Sequence, residues 1–343
     1  MKTRLSLILI LTSFFVFATF PALAGEKKTY SFKWANFSGP AAHVEVAHSI
    51  RIMTKLEKLT DGRMKFKNYM SGSLVSGSDM VEGTRMGVTD FATAYFPYHT
   101  GIDARFGIDI LPGLWSDIPH AIRAERDLER IEFWNKKLLN PMNIQLLGIY
   151  IEGPSWLLGK KKQFRVPGDL KGYKIRCYGP LEEFFANHGA TPIHLTAGEL
   201  YESLMRGVVD GMTLTPGTVM TRKIYEVIDY LLAYPITISE ACTWMNLDRW
   251  KEMSHEDQEI MRSTIMDMHH EFSLKTLEEC SPRSEMMNFL EKRIQVYKPT
   301  PQEIALWVDA LKPVREAYLE KLDPSAKEMF REYVAKIVNK HAK

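Results

Sequence analysis

An α/β fold divided between two lobes is predicted by three features of the sequence. Strand-like and helical periodicities alternate through its first two thirds. Its 343 residues with 45% apolar content exceed what one compact core holds. After about residue 247 the pattern is helical almost to the end.

The first strand is 29–36 (TYSFKWAN), where Tyr30, Phe32 and Trp34 alternate with Ser31 and Lys33 as on a half-buried strand. A helix follows from His43 to Leu59 and stops at Thr60-Asp61-Gly62, and Met64 to Tyr69 alternates again. A second helix, Asp79 to Met86, leads through Gly87-Val88-Thr89-Asp90 into a strand at Phe91 to Ala94. Further strands are expected at Ile144 to Tyr150, Gly172 to Arg176, Thr191 to Leu195 and Gly211 to Leu214, with a short helix Ala197 to Arg206 opened by Thr196. Tyr230 to Pro235 leads toward a β-like run at Cys242 to Leu247 that returns the chain to the first lobe. In the helical tail, Ser254 with Asp257 marks a helix start, and Thr300-Pro301-Gln302-Glu303 is a capping box with proline in the first turn. Pro282 and Pro313 should break or kink these helices. No internal repeat or low-complexity tract is found.

The amino terminus predicts export. Lys2 and Arg4 precede an apolar run from Leu5 to Phe20, about 16 residues against the roughly 20 that span a bilayer, and Ala22-Leu23-Ala24 is a small-x-small cleavage pattern. Residues 1–24 are thus expected to be a cleaved signal peptide, and nothing later is apolar enough to lie in a membrane. Losing them reduces 44 basic residues to 42, against 42 acidic. A balanced charge lacks the basic excess of a nucleic-acid binder; Lys160-Lys161-Lys162 and Lys171/Lys174 read as solvated loop charges. Cys177, Cys242 and Cys280 are widely spaced and are expected to be buried thiols.

Catalytic patterns are absent: no HExxH, GxSxG, Walker loop or strand-borne GxGxxG occurs. His43 and His48 stand five apart, on different helix faces, and neither they nor His269-His270 have metal-ligand spacing. Cys177 beside Arg176 has no assignable histidine base. The sequence therefore points to no enzyme, cofactor or metal. Arg176 ends a short strand before Tyr178-Gly179-Pro180, where α/β folds bind ligands, and its planar fork of donors matches a carboxylate. The residues alone leave open a structural arginine tied to an internal acid.

The stretch 169–230 resembles the central signature of DctP-family solute-binding proteins of tripartite ATP-independent periplasmic (TRAP) transporters. The matching pieces are Asp169-Leu170-Lys171-Gly172 with Lys174-Ile175-Arg176, Gly189-Ala190 with Pro192, Glu199-Leu200-Tyr201, Gly207-Val208-Val209-Asp210-Gly211, and Tyr225-Glu226-Val227. Asp61-Gly62-Arg63, the Gly87 to Phe91 segment, Met245-Asn246 with Trp250, and Trp307 to Tyr318 extend it over about Thr29 to Tyr333.

The resemblance implies a two-lobe, type II-like periplasmic binding protein with hinge strands and a long lobe-spanning helix. Lobe I would hold 25–152 plus about 240–280, and lobe II 153–239 plus about 281–343. It implies closure around one ligand, whose carboxylate pairs with Arg176, and delivery to small and large membrane permease subunits driven by an ion gradient. A sensor subunit for a membrane receptor, or the binding protein of an ABC importer, are the alternatives.

Sialic-acid members carry a second carboxylate-binding arginine where this chain reads Gly153-Pro154-Ser155-Trp156-Leu157-Leu158-Gly159, and a polar asparagine where it has Leu214. The family's pocket geography makes Asn36, Phe37, Tyr95, Phe96, Trp156, Tyr178, Leu214, Thr215 and Trp244 the remaining wall. Such a wall is poor in polar partners and suits an apolar or aromatic monocarboxylate.

Overall fold

The computed structural model describes residues 28–39, 43–160, 163–195 and 197–342. The signal peptide, Thr196 as a helix opener and Lys161-Lys162 lie outside the described residues.

Among the described residues nine strands form one sheet: β1 (Tyr30–Asn36), β2 (Met64–Tyr69), β3 (Phe91–Ala94), β4 (Ile144–Gly159), β5 (Lys174–Arg176), β6 (Thr191–Ile193), β7 (Gly211–Leu214), β8 (Tyr230–Asn246) and β9 (Gln295–Tyr297). Their order is β2-β1-β3-β8-β4-β7-β5-β6, with β9 beside β8. β4 and β8 run antiparallel over their whole lengths and belong to both lobes, so they form the hinge. The sequence placed shorter strands here. Gly153-Pro154 and Pro235 fall inside these strands and look like ends, whereas the structure absorbs them in register shifts along the β4–β8 ladder.

The helices up to the hinge are α1 (Val44–Leu59), α2 (Met80–Arg85), α3 (Ile118–Glu125) and α4 (Leu128–Trp134). Those after it are α5 (Pro180–Asn187), α6 (Leu200–Met205), α7 (Pro216–Thr221), α8 (Leu247–Lys251), α9 (His255–Glu279), α10 (Glu285–Glu291), α11 (Pro301–Lys321) and α12 (Pro324–Tyr333). Strand alternation sends successive side chains to opposite faces. In lobe I, Trp34, Phe91, Leu147 and Met245 pack with Ile52 and Leu56 of α1 and Met261 and Ile265 of α9. Their neighbours Ala35, Ala92, Leu146 and Trp244 pack on the other face with Ile131 and Trp134 of α4. Lobe II is layered likewise, with Leu157 and Ile175 against α5 and α11, and Leu158 and Met212 against α6, α7 and α10.

Thr300 and Glu303 form the reciprocal cap of α11. Pro313 lies inside that helix, which is the lobe-spanning one. Trp307 donates its indole N–H to Arg165 O in lobe II (2.8 Å), and Tyr318 donates its hydroxyl to Ala104 O in lobe I (2.5 Å). The carboxy terminus departs from the expected boundary at 281–343: Leu322 to Val338 pack into the lobe I core. The cause is a buried polar anchor, in which Arg130 Nε donates to Tyr333 Oη and Tyr333 Oη donates to Asp109, both at 2.8 Å.

One unit of backbone occurs in each lobe, although the sequence shows no repeat. In lobe I, Asp90 accepts from Lys33 N (2.7 Å), and Asp90 N donates to Lys33 O (3.1 Å). In lobe II, Asp210 accepts from Lys174 N (3.0 Å), and Asp210 N donates to Lys174 O (2.8 Å). Gly87 and Gly207, at φ +73° and +71°, turn each preceding helix into its strand, a conformation that L side chains avoid. Little sequence beyond Gly-Val-x-Asp and the bonded lysine is shared, because the repeated object is a set of hydrogen bonds.

A charged acceptor on a backbone N–H contributes roughly 1.5–3 kcal/mol. Asp210→Ala is expected to lower the unfolding free energy by that amount in urea melts. Asp90→Ala should cost more, since Asp90 also pairs with Arg249 Nε at 2.9 Å.

Candidate functional site

The repeated units set the site. Each lobe brings two parallel strands to the cleft, β1 with β3 and β5 with β7. The residues just past their carboxyl ends, Phe37 and Tyr95 from lobe I and Tyr178 and Thr215 from lobe II, line one cavity of about 310 Å³ that includes its opening to solvent. The hinge strands add Ser155 and Ser239. Strand carboxyl ends suit ligands because backbone and side chains diverge there into loops that can be shaped freely.

Arg176, the last residue of β5, is 1% exposed. Its Nε donates to Leu195 O at 3.0 Å, Nη1 to Thr213 O at 3.4 Å and Nη2 to the Tyr98 hydroxyl of the opposite lobe at 2.8 Å. The guanidinium lies 4.6 Å from the centre of the Tyr178 ring. Among the described residues no Asp or Glu forms an ion pair with it. The other two arginines buried in the interior differ. Arg130 pairs with both Glu240 and Asp109. Arg222, which caps α7, pairs with Glu45 at 3.0 Å and donates to Ser38 Oγ at 2.6 Å and Ala197 O at 2.7 Å.

Of the residues expected from sequence, Arg176, Phe37, Tyr95, Tyr178, Leu214 and Thr215 line the cavity. Asn36, Phe96, Trp156 and Trp244 do not. Asn36 points the other way from Phe37, donating to Asn68 (2.6 Å) and accepting from Ser49 (3.0 Å). Phe96 stacks on Trp244 at 5.9 Å in the lobe I core, and the Trp244 indole N–H goes to Thr84 (3.0 Å). Trp156 packs with Leu158 and Met212 in lobe II. The sequence missed Glu45, Tyr98, Ser155, Thr218, Arg222 and Ser239 in the lining. The cavity is therefore more polar than expected. The sequence search for a second arginine looked to 153–159, whereas Arg222 arrives from the end of α7.

Behind the lining, Glu152 of β4 accepts a hydrogen bond from Tyr95, whose hydroxyl also lies 2.6 Å from Ser239 Oγ. Its Oε1 is buried without a hydrogen-bond partner among the described residues. Burial, reinforced by the nearby Glu45, pushes the Glu152 carboxyl up to about 8. Cys177, next to Arg176, is a free thiol that burial pushes up to about 12, so it is no nucleophile. No cluster of metal-ligating side chains occurs among the described residues.

Buried acids and bases shape the stability in opposite directions. Burial holds Glu125, Glu152 and Glu240 up at about 8. It pushes His43 and His99 down to about 4, His48 to about 3 and His269 well below its ordinary value. Between the ordinary carboxyl and imidazole ranges, the folded chain keeps protons on these acids while the unfolded chain gains them on the histidines, and the two effects nearly cancel. Above the ordinary histidine value of 6.5, only the acids still differ, and the folded state binds more protons than the unfolded one. Stability should thus fall as pH rises from about 6.5 through 8. Thermal melts are expected to show the highest Tm near pH 6–6.5 with a decline to pH 8.5, and Glu152→Gln should flatten that decline.

Comparison with known proteins agrees with this geometry. The family model DctP, bacterial extracellular solute-binding protein, family 7, matches residues 41–322. The ectoine-binding periplasmic protein TeaA of Halomonas elongata is 22% identical over 271 residues, 78% of this chain and 79% of that protein. A solute-binding protein of Chromohalobacter salexigens is 26% identical over 219 residues, 61% of this chain; the match spans only 62% of that relative's length. Among solved structures, DctP6 of Bordetella pertussis, an extracytoplasmic solute receptor binding pyroglutamic acid, superposes with a TM-score of 0.79 at 17% identity, covering 90% of this chain and 100% of that one. A TRAP periplasmic solute-binding protein of Desulfovibrio salexigens with bound orotic acid gives 0.79 at 21% identity, covering 91% and 100%. The shared fold is the two-lobe receptor architecture.

Proposed function

We propose, from the premise that the chain belongs to the bacterial extracellular solute-binding protein family 7, that it is the periplasmic binding subunit of a TRAP transporter. In this reading it is exported by residues 1–24, captures a small organic carboxylate through Arg176, and delivers it to small and large permease subunits. It performs no covalent chemistry. The observation that carries the reading is the guanidinium of Arg176, buried at a strand end, facing a cavity between two lobes, with no Asp or Glu in an ion pair with it among the described residues. A ligand carboxylate supplies that charge and meets the fork bidentately.

Relatives are named for a range of ligands: ectoine, pyroglutamic acid and orotic acid, but also C4-dicarboxylates, succinate, sialic acid and galacturonate. The rings of Phe37, Tyr95 and Tyr178 favour a small acid with a flat or apolar body here. Ligand contacts from both lobes exist together only when the cleft is closed, so binding shifts the population toward closure.

Micromolar capture is about −8 kcal/mol, and truncating one partner of a buried charge pair costs about 2–5 kcal/mol. Arg176→Ala is therefore expected to weaken ligand affinity at least a hundredfold by calorimetry. Arg165→Ala, exposed and stacked on Tyr297 at 5.0 Å, should leave it within threefold. Equal effects would remove Arg176 from the role. Small-angle scattering should show a smaller radius of gyration on saturation; an unchanged radius would contradict closure.

A further inference from the structure

We infer that Glu45 is a specificity-determining residue: it occupies the position of a second acid group opposite Arg222, so the site accepts ligands with one carboxylate and refuses dicarboxylates. The inference rests on Arg176 as the carboxylate anchor and adds a residue that the anchor does not require.

The charged side chains lining the cavity are Glu45, Arg176 and Arg222. A guanidinium has one N–H on Nε and two on each Nη. Arg222 Nη2 serves both Ser38 Oγ and Glu45, and Nη1 serves Ala197 O. Arg176 makes a single hydrogen bond from each Nη, at 3.4 and 2.8 Å, among the described residues. One N–H on each Nη of Arg176 therefore remains for a guest, whereas the Nη2 end of Arg222 is committed to the chain's own acid.

Charge balance gives the same result. Two cations and one carboxylate leave the lining one positive charge in excess, which a monocarboxylate cancels. Glu152 does not alter the sum while it remains protonated, and it has no cation at ion-pair distance among the described residues. A dicarboxylate would leave a net negative charge in a dehydrated cleft, a costly arrangement. It could pair with the Nη2 end of Arg222 only by displacing Glu45, the sole carboxylate that this arginine pairs with among the described residues. Glu45 belongs to the first turn of α1 in lobe I and Arg222 follows α7 in lobe II. Displacement would therefore also break an ionic contact that joins the closed lobes.

The test uses matched probes, pyroglutamate against glutarate and benzoate against phthalate, titrated calorimetrically into the mature protein. The tighter-binding monoacid is expected to exceed its diacid partner at least a hundredfold in affinity. Glu45→Gln, which frees Arg222, should shrink that ratio at least tenfold by strengthening diacid binding. Glu45→Gln combined with Arg222→Gln should restore the wild-type ratio, because no free cation is left for the second acid group. A wild-type ratio below tenfold, or an unchanged ratio in folded Glu45→Gln protein, overturns the inference. Should Glu45→Gln fail to fold, native mass spectrometry of the wild-type protein with its retained ligand decides. A ligand that takes up one methyl group on esterification supports the inference, and one that takes up two overturns it. Arg176→Ala separates the two claims. Unchanged monoacid binding in that variant defeats the proposed function, whereas its loss without monoacid preference in the wild type defeats the role of Glu45 alone.

Discussion

Burying a guanidinium away from water carries a desolvation penalty of several kcal/mol unless an opposite charge meets it. Arg130 is met by the carboxyl groups of Asp109 and Glu240 and Arg222 by that of Glu45, so the chain itself supplies acid partners for both. Arg176 has carbonyl oxygens, a phenol and the face of Tyr178, which solvate a cation in part but do not neutralise it. The rest of the site is arranged around this deficit. The aromatic side chains keep water from supplying the missing interaction, and the position between lobes lets a guest supply it.

The repeated half-unit explains how such a site can be built twice over from different residues. In each lobe an aspartate locks the start of one strand to its parallel neighbour, at Lys33 in the middle of β1 and at Lys174 in the first position of β5, which fixes the register in which both strands end. The strand ends then become equivalent positions: Phe37 corresponds to Tyr178, and Tyr95 to Thr215. Lobe I contributes rings at both positions, whereas lobe II contributes a ring and a hydroxyl, with Arg176 two residues earlier on β5. Chemical asymmetry is thus laid on a symmetric frame. The lock residues are polar and lie at the far end of the strands from the cleft, so the pocket can vary without disturbing the scaffold.

Local periodicity made much of this legible. β2, β3 and β7 coincide with their expected spans, and α1 and α2 agree within a residue at each end, because each is bounded by a glycine turn or a change of period. What failed was information that only the tertiary structure holds. The hinge strands β4 and β8 are buried on both faces for most of their length and carry no alternation to mark their extent. One position along a strand decides between cavity and core: Phe37 is lining where Asn36 is not, and Tyr95 where Phe96 is not. Family geography gave the strand end but not the face. Glu45 and Arg222 stand 177 residues apart, and nothing local marks either as the other's partner.

Two of the polar contacts that cross the cleft also bear on how closure is balanced. Arg222 with Glu45 and Arg176 with Tyr98 both join lobe I to lobe II. Only the first pairs full charges; the second offers a phenol, a weaker partner than a carboxylate. A latch of two complete ion pairs would hold the lobes shut without a guest and would leave little differential affinity for a ligand to exploit. One complete pair and one incomplete one bring closure within reach while reserving its remaining driving force for the guest. The deficit at Arg176 is then what couples ligand capture to the shape that a permease would read.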